Sequence, residues 1–233
     1  MGDWLVACEC SGAIRSRLRD AGINAWSCDI KPAEDGSRFH IQGDVRKILN
    51  RGWAGMIAHP ECRYLCGSGL HWNSRGKLVD GRPRAELTAE ALEFALLLWN
   101  ADIERVGLEN SVGILSRPEN LGKPTQIVQP YQLGDDASKA TCWWLWNIEK
   151  IEIDPARRLN GRLVPFELAM KRPRKDGDPE FIERWANQTD TGQNRLPPST
   201  NRSADRARTY PGIANGIVDA VLRTIAADLR RAA

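Results

Sequence analysis

The order of apolar runs along this chain predicts an α/β fold with a doubly wound, largely parallel sheet. Residues 4–8, 24–28 and 54–58 are short apolar runs that each end in a polar or glycine-bearing turn, and helical spacing follows the first of them. Strands alternating with helices in this way argue for parallel strands in one sheet. The ligands of such sheets gather beyond the carboxyl ends of the strands.

Taken in order, residues 4–8 form the first strand, and Ile14, Leu18 and Ala21 recur at helical spacing up to Gly22, giving strand, tight turn and helix. The second strand ends at Asp29, Gly43-Asp44 opens a short helix through Ile48 and Leu49, and the third strand is broken by His59-Pro60. Residues 67–83 are rich in Gly, Ser, Asn, Arg and Lys without apolar period, and read as a mobile loop. Residues 84–103 follow as an amphipathic helix with Leu92, Leu96, Trp99 and Ile103 on one stripe. Residues 105–108 make the next strand, with Glu109-Asn110 at its carboxyl end, and residues 125–130 and 142–146 make two more. Alternation in the last places Trp144 and Trp146 on one face and Trp143 on the other, so most of this aromatic surface belongs to the core. The pattern weakens between Asn147 and Tyr210, where a loop-rich appendage is expected. A final helix carries Ile213, Ile217, Val218, Val221, Leu222, Ile225 and Leu229 on one face, with Pro211 near its first turn. The expected organisation is an α/β domain over 1–146, a small basic region over 147–209, and a helix over 210–233 that packs back on the first.

At 233 residues the chain suffices for one sizeable core, and an apolar share of 42% with 27% charged residues is that of a soluble globular protein. No apolar run approaches the ~20 residues of a membrane helix, and the start lacks the pattern of a secretory leader. With six scattered cysteines this favours reduced thiols in a cytoplasmic protein, without disulfides and without a membrane partner. The net charge of +3 names no partner. Its distribution says more, because Arg157, Arg158, Arg162, Lys171, Arg172, Arg174, Lys175, Arg184, Arg195, Arg202, Arg206 and Arg208 cluster in the last third. Such clustering is read either as a surface that meets phosphates or as a solvated basic face.

The strand ends bring Glu9, Cys10, Ser11, Gly12, Asp29, Cys62, Glu109 and Asn110 to one edge, with Asp44 joining from a loop. A turn of small residues lets a ligand approach the backbone, Asp29 can accept hydrogen bonds from a ribose, and Asp44 from an adenine amino group. Gly-x-Gly-x-x-Gly and Gly-Lys-Ser/Thr patterns are absent, which argues against NAD and ATP. Cys62, at the end of an apolar strand, is placed to present a thiolate to an electron-poor ring carbon, and Glu109 to grip the ring while charge develops on it. His59, Cys62, Cys66 and His71 would also supply four zinc ligands, but their spacing is irregular and no metal is expected. Cys8, Cys10, Cys28 and Cys142 read as small buried hydrophobes. Arg75, Lys77, Arg82 and Arg84 either close over a substrate or belong to an ordinary solvated loop.

Glu9-Cys10-Ser11-Gly12, Asp29, Asp44, Pro60-Glu61-Cys62, Glu109-Asn110 and Tyr210-Pro211-Gly212-Ile213-Ala214-Asn215 stand in the order of the characteristic motifs of DNA cytosine-5 methyltransferases. The chain resembles a compact, phage-type member of that family over residues 4–146 and the final helix. The resemblance implies a Rossmann-like S-adenosylmethionine-dependent methyltransferase fold with a small loop-rich appendage, and DNA as partner. It implies that Cys62 adds to carbon 6 of a flipped-out cytosine, that Glu109 binds the base edge and that Asn110 shapes the turn. The cofactor would be held by Glu9, Cys10, Ser11, Gly12, Asp29, Asp44, Pro60 and Asn215. The substrate would meet Arg63, Arg75, Lys77, Lys139, Thr141 and Arg202. Two departures stand out: Glu61 occupies the place of a second proline, and Lys139-Ala140-Thr141 stands where the family has Gln-Arg-x-Arg. The short stretch 147–209 leaves room for an enzyme of free cytosine nucleotides, and Glu61 for a catalytically silent DNA-binding relative.

Overall fold

The computed structural model describes residues 2–196 and 208–232. In chain order its strands are Trp4–Ala7 (β1), Ala25–Asp29 (β2), His40–Gln42 (β3), Gly55–Ala58 (β4), Leu78–Val79 (β5), Arg82–Pro83 (β6), Val106–Ser111 (β7), Gln126–Val128 (β8), Thr141–Trp146 (β9), Arg162–Pro165 (β10) and Phe181–Arg184 (β11). Its α-helices are Ala13–Asp20 (α1), Gly67–Ser74 (α2), Arg84–Trp99 (α3), Phe166–Met170 (α4) and Pro211–Ala232 (α5). The central sheet has the order β3-β2-β1-β4-β7-β9-β8. β1 pairs in parallel with β2 and β4, β2 with β3, and β4 with β7, while β9 runs antiparallel to β7. This is the expected α/β sheet, mostly parallel. The chain moves outward from β1 through β2 to β3, then returns to the other side of β1 as β4, so the strand order reverses between β1 and β4, where α/β sheets open a crevice.

The centre of the sheet is dry because its strands carry no polar side chain: Leu5, Val6, Ala7, Met56, Ile57 and Ala58 are fully buried. Each large side chain among them stabilises the fold by about 1.5–3 kcal/mol. Gly55 lets the Trp4 indole lie across β4, since a Cβ there would come within 2.5 Å of the ring. α5 buries Ile213, Ala214, Ile217, Val218 and Val221, and leaves Leu229 exposed at the far end of the expected stripe. It is tied to the sheet region by Arg105, whose Nη2 donates to Asp228 Oδ2 at 2.6 Å, and by Thr224, whose hydroxyl accepts the Glu149 N–H at 2.9 Å.

Several expectations need correction. The segment 67–83 is ordered as α2 and the β5–β6 hairpin. α3 ends at Trp99, and its most buried residues are Arg84, Thr88, Ala95 and Leu98, with Leu92, Phe94 and Trp99 partly covered beside them. Glu109 and Asn110 lie inside β7, because Trp143 and Cys142 of β9 pair with them and extend the ladder to Ser111. β3 was not anticipated: it has only three residues, with Ile41 between polar His40 and Gln42, and it forms by pairing with Ser27, Cys28 and Asp29. Asp44 caps a single tight helical turn, Val45–Lys47, by accepting the Arg46 N–H. Of the tryptophans on β9, Trp143 and Trp144 are buried as expected, whereas Trp146 is 58% exposed.

The chain divides into two compact units, one of Met1–Ile127, Thr141–Ile151 and Ala214–Ala233, the other of Val128–Ala140 and Glu152–Ile213. The second contains the β10–β11 hairpin and α4 around buried Val164 and Phe166, and stacks Tyr131 on Trp185 with ring centroids 3.9 Å apart. Part of its basic charge is compensated within itself: Arg158 is paired with Glu183, Arg162 with Asp190, and Arg172 with Asp178. Among the described residues no helix is long and apolar enough to cross a membrane.

Candidate active site

The turn after β1 is shaped by its own side chains. Glu9 is buried, and its carboxylate accepts the N–H groups of Ile14 at 2.6 Å and Arg15 at 3.2 Å, so it closes the amino end of α1. Burial pushes this carboxyl above the usual range, against the N–H groups of Ile14 and Arg15. Cys8 has a left-handed backbone at φ 61°, a strain of about 1–2 kcal/mol for a residue with a Cβ. Gly12, at φ 72°, needs no such strain. A Cβ on it would meet the guanidinium of Arg15, which is buried against Asp35, so the open space at Gly12 is filled from within the chain. Ser11 accepts the Ala13 N–H at 3.3 Å, and the Cys10 thiol faces Glu34.

Asp29 ends β2 half-buried, with Oδ1 accepting the Lys31 N–H at 2.9 Å. The next residue, Ile30, is 74% exposed, an apolar surface beside a carboxylate that the reading of the sequence missed. Asp44 gives both oxygens to Arg46, whose Nε is 2.9 Å from each, so accepting an adenine amino group would require Arg46 to move away. Asn215 accepts from Arg17 Nε at 2.6 Å, which sets it beside α1.

Across the reversal point, β4 delivers His59, Pro60 and Cys62. The His59 N–H donates to the Ala7 carbonyl at 2.9 Å, continuing the β1–β4 ladder one residue past the strand. Its Nδ1 lies 3.2 Å from Glu109 Oε2, and its ring meets Trp143 edge-on at 5.9 Å. Asn110, 1% exposed, donates Nδ2–H to the Pro60 carbonyl at 2.9 Å and accepts the Ser111 N–H at 3.0 Å. These two contacts lace the carboxylate strand β7 to the turn that carries Cys62. Cys62 is half-buried and starts a turn of its own, its carbonyl accepting the N–H groups of Leu65 and Cys66, while Glu61 beside it is exposed.

The chain beyond Cys62 is fastened to the exit of β7. Cys66 and Gly113 form an antiparallel bridge, the Gly67 N–H donates to Val112 O at 3.0 Å, and the Ile114 N–H to Leu65 O at 2.9 Å. A Cβ on Gly113 would fall on the Leu65 carbonyl oxygen. Arg84 does the corresponding work for α2. Expected on a solvated loop or over a substrate, it is instead buried, with Nη1 donating to Asn73 Oδ1 at 2.6 Å and Nη2 to the Arg63 carbonyl at 3.0 Å. Gly69 leaves room for it, since a Cβ there would come within 2.5 Å of Nη2. Arg63, Arg75 and Lys77 are exposed, the last two beside the face of Trp72 at 5.4 and 4.7 Å.

Thr141 is buried opposite Ser111 at the start of β9. Lys139 Nζ lies 3.5 Å from the Arg208 carbonyl, and Arg202 falls outside the described residues. Four thiols are held in the protonated, poorly nucleophilic form. Burial, with Asp29 and Asp44, pushes Cys28 up to about 11, and burial with Glu109 does the same for Cys142. Burial also raises Cys8 and Cys10. Among the described residues no three His, Cys, Asp or Glu side chains gather as a metal site. Of the four ligands considered for zinc, His59 faces Glu109, His71 packs on Trp72, and Cys66 Sγ lies 3.2 Å from Ser68 Oγ.

No family model and no curated protein matches the chain. Solved structures do. One is encoded within an E. coli prophage and described as a DNA modification methyltransferase, at 14% identity and a TM-score of 0.40, over 62% of this chain and 46% of that one. S. pombe Dnmt2 methyltransferase matches at 17% identity and a TM-score of 0.40, over 62% and 50%. The Entamoeba histolytica methyltransferase EhMeth matches at 15% identity and a TM-score of 0.43, over 69% and 58%. The chain thus spans about half the length of the solved proteins to which it is similar, as those shares of 46%, 50% and 58% state.

Proposed function

We propose that the chain transfers a methyl group from S-adenosylmethionine to carbon 5 of cytosine in DNA. The observation that carries this reading is the lacing of β4 to β7: Asn110 holds the Pro60 carbonyl two residues before Cys62, and His59 holds Glu109, so a thiol and a carboxyl are presented from neighbouring strands at the reversal point of the sheet. Cys62, on the turn whose Pro60 carbonyl Asn110 holds, is the nucleophile. Its thiolate adds to carbon 6 of the cytosine, Glu109 supplies a proton to the ring nitrogen as the electrons move there, and carbon 5 becomes the nucleophile that accepts the methyl group. Water then takes the carbon 5 proton, the Cys62 thiolate leaves carbon 6 and the ring nitrogen returns its proton to Glu109, which restores the aromatic ring and leaves S-adenosylhomocysteine as the other product. The target base must leave the duplex stack to reach these groups.

The residues of the β1–β2 edge fit an adenosine group in part. Asp29 can take ribose hydroxyls, and the exposed Ile30 side chain offers an apolar surface for a purine ring. Glu9 and Asp44 are held by α1 and Arg46, so they shape the site rather than grip the ligand. S-adenosylmethionine bound here supplies an electrophilic methyl group.

Incubation with labelled S-adenosylmethionine and DNA, followed by digestion to nucleosides, tests the reading. Label is expected in 5-methylcytosine with the wild type and not with Cys62→Ala; no label, or equal label from both, refutes it. The internal pairing of Arg158, Arg162 and Arg172 favours a second reading, a free cytosine nucleotide as substrate, because it leaves fewer cations for a phosphate backbone. Transfer to dCMP or dCTP and not to DNA would select it.

A further inference from the structure

His59 belongs to no motif that the proposed reaction uses, yet its side chain is largely buried in contact with that reaction's carboxyl. Its backbone is locked into the β1–β4 ladder by the bond to Ala7 O, and its side chain is 11% exposed. Charged groups face it from two elements: Glu109 on β7, in contact at 3.2 Å, and Glu9 in the turn after β1. From β9 it meets the uncharged edge of Trp143. Its Nε2 is buried with no hydrogen-bond partner.

These contacts select a tautomer. Glu109 Oε2 accepts whether the carboxyl is ionised or carries on Oε1 the proton it gives to the ring, so the proton of this contact is assigned to Nδ1. Nε2 then carries a lone pair, which is cheaper to bury unpartnered than the N–H of an imidazolium would be. A neutral ring with a defined donor is well suited to hold a carboxyl group in one orientation, whereas a free glutamate side chain rotates about three bonds. We propose that His59 is the positioning residue of Glu109: its Nδ1–H fixes Oε2, and thereby the direction in which the carboxyl meets the pyrimidine while Cys62 adds to it. The inference rests on the proposed methyl transfer.

The test compares His59→Leu, which keeps bulk and removes the donor, with His59→Asn, whose amide nitrogen lies the same number of bonds from the backbone as Nδ1. Each is assayed for the rate of covalent adduct formation with DNA containing 5-fluorocytosine, for kcat, and for KM toward S-adenosylmethionine, at equal folded fraction measured by urea unfolding. Losing a hydrogen bond to a charged group predicts that His59→Leu lowers kcat and the adduct rate about 10- to 100-fold, with KM changed less than about twofold. His59→Asn should recover most of that loss. Adduct formation by His59→Leu at the wild-type rate, or no recovery in His59→Asn, overturns the role of His59 while leaving the methyl transfer standing. A wild type that forms no adduct is a different result, and it overturns the proposed function together with this inference.

Discussion

Replacing Asn110 by Ala removes both side-chain bonds that this residue makes, and their surroundings set the size of the effect. The Pro60 carbonyl loses its donor in a buried setting, which costs about 1–3 kcal/mol, and the half-buried Ser111 N–H loses an acceptor, about 0.5–1.5 kcal/mol. A total of about 1.5–4.5 kcal/mol should appear as a lower midpoint in urea unfolding. Stability alone does not separate a catalytic turn from any other buried bond, so Gln126→Ala serves as comparator. Gln126 also bonds one N–H and one carbonyl, both of Ile151, at 2.9 and 2.8 Å, and it lies on β8, two strands from β7. Both variants should lose similar stability, but only Asn110→Ala should slow the 5-fluorocytosine adduct, by tenfold or more on the order of magnitude set by the freed turn. Equal adduct rates in the two variants would refute the idea that the bond to Pro60 places Cys62.

Gly113→Ala forces a methyl group onto the Leu65 carbonyl, so the Cys66–Gly113 bridge must open; a loss of about 1–3 kcal/mol is expected in urea unfolding, accompanied by slower adduct formation. Asp35→Asn tests the pair at Gly12. Partial desolvation raises the Asp35 carboxyl, but the hydrogen bonds from Arg15 and the Ser37 N–H together with the Arg15 charge outweigh it, so its folded value lies below the ordinary one. A depressed folded value means stability that is present above the unfolded value of about pH 4 and lost as pH falls through the folded one. The wild type should therefore exceed Asp35→Asn in stability at pH 7, and the two should converge in acid; a gap independent of pH would show that the pair contributes nothing through its charge.

The parts of the fold that were legible in the sequence are those where burial follows a short period. β1 and β4 are recognisable because both faces are covered and the runs are apolar throughout. β3 was missed because pairing with β2, not its own composition, makes His40–Gln42 a strand. The segment after Cys62 was read as a loop because its order depends on one buried arginine with neutral acceptors, and hydrophobic periodicity does not register a guanidinium as core. The candidate site shows the same division. The strand-end residues could be gathered from their order along the chain, but the lacing of Asn110 to Pro60 and of His59 to Glu109 joins residues fifty positions apart, which no local pattern reports. Glu9 and Asp44 illustrate the reverse: their types suit a ligand, and only the coordinates show them answering to α1 and Arg46.

The Arg84 anchorage also bears on how tightly a compact chain can hold a substrate. A segment that becomes ordered only on meeting its partner subtracts about 1–2 kcal/mol per residue from the association. With α2 and its hairpin already fixed through Asn73, Arg63 and Gly69, that entropy is lost when the chain folds and is absent from the encounter. A partner that met α2 and the hairpin would therefore dock on an ordered surface rather than fold one.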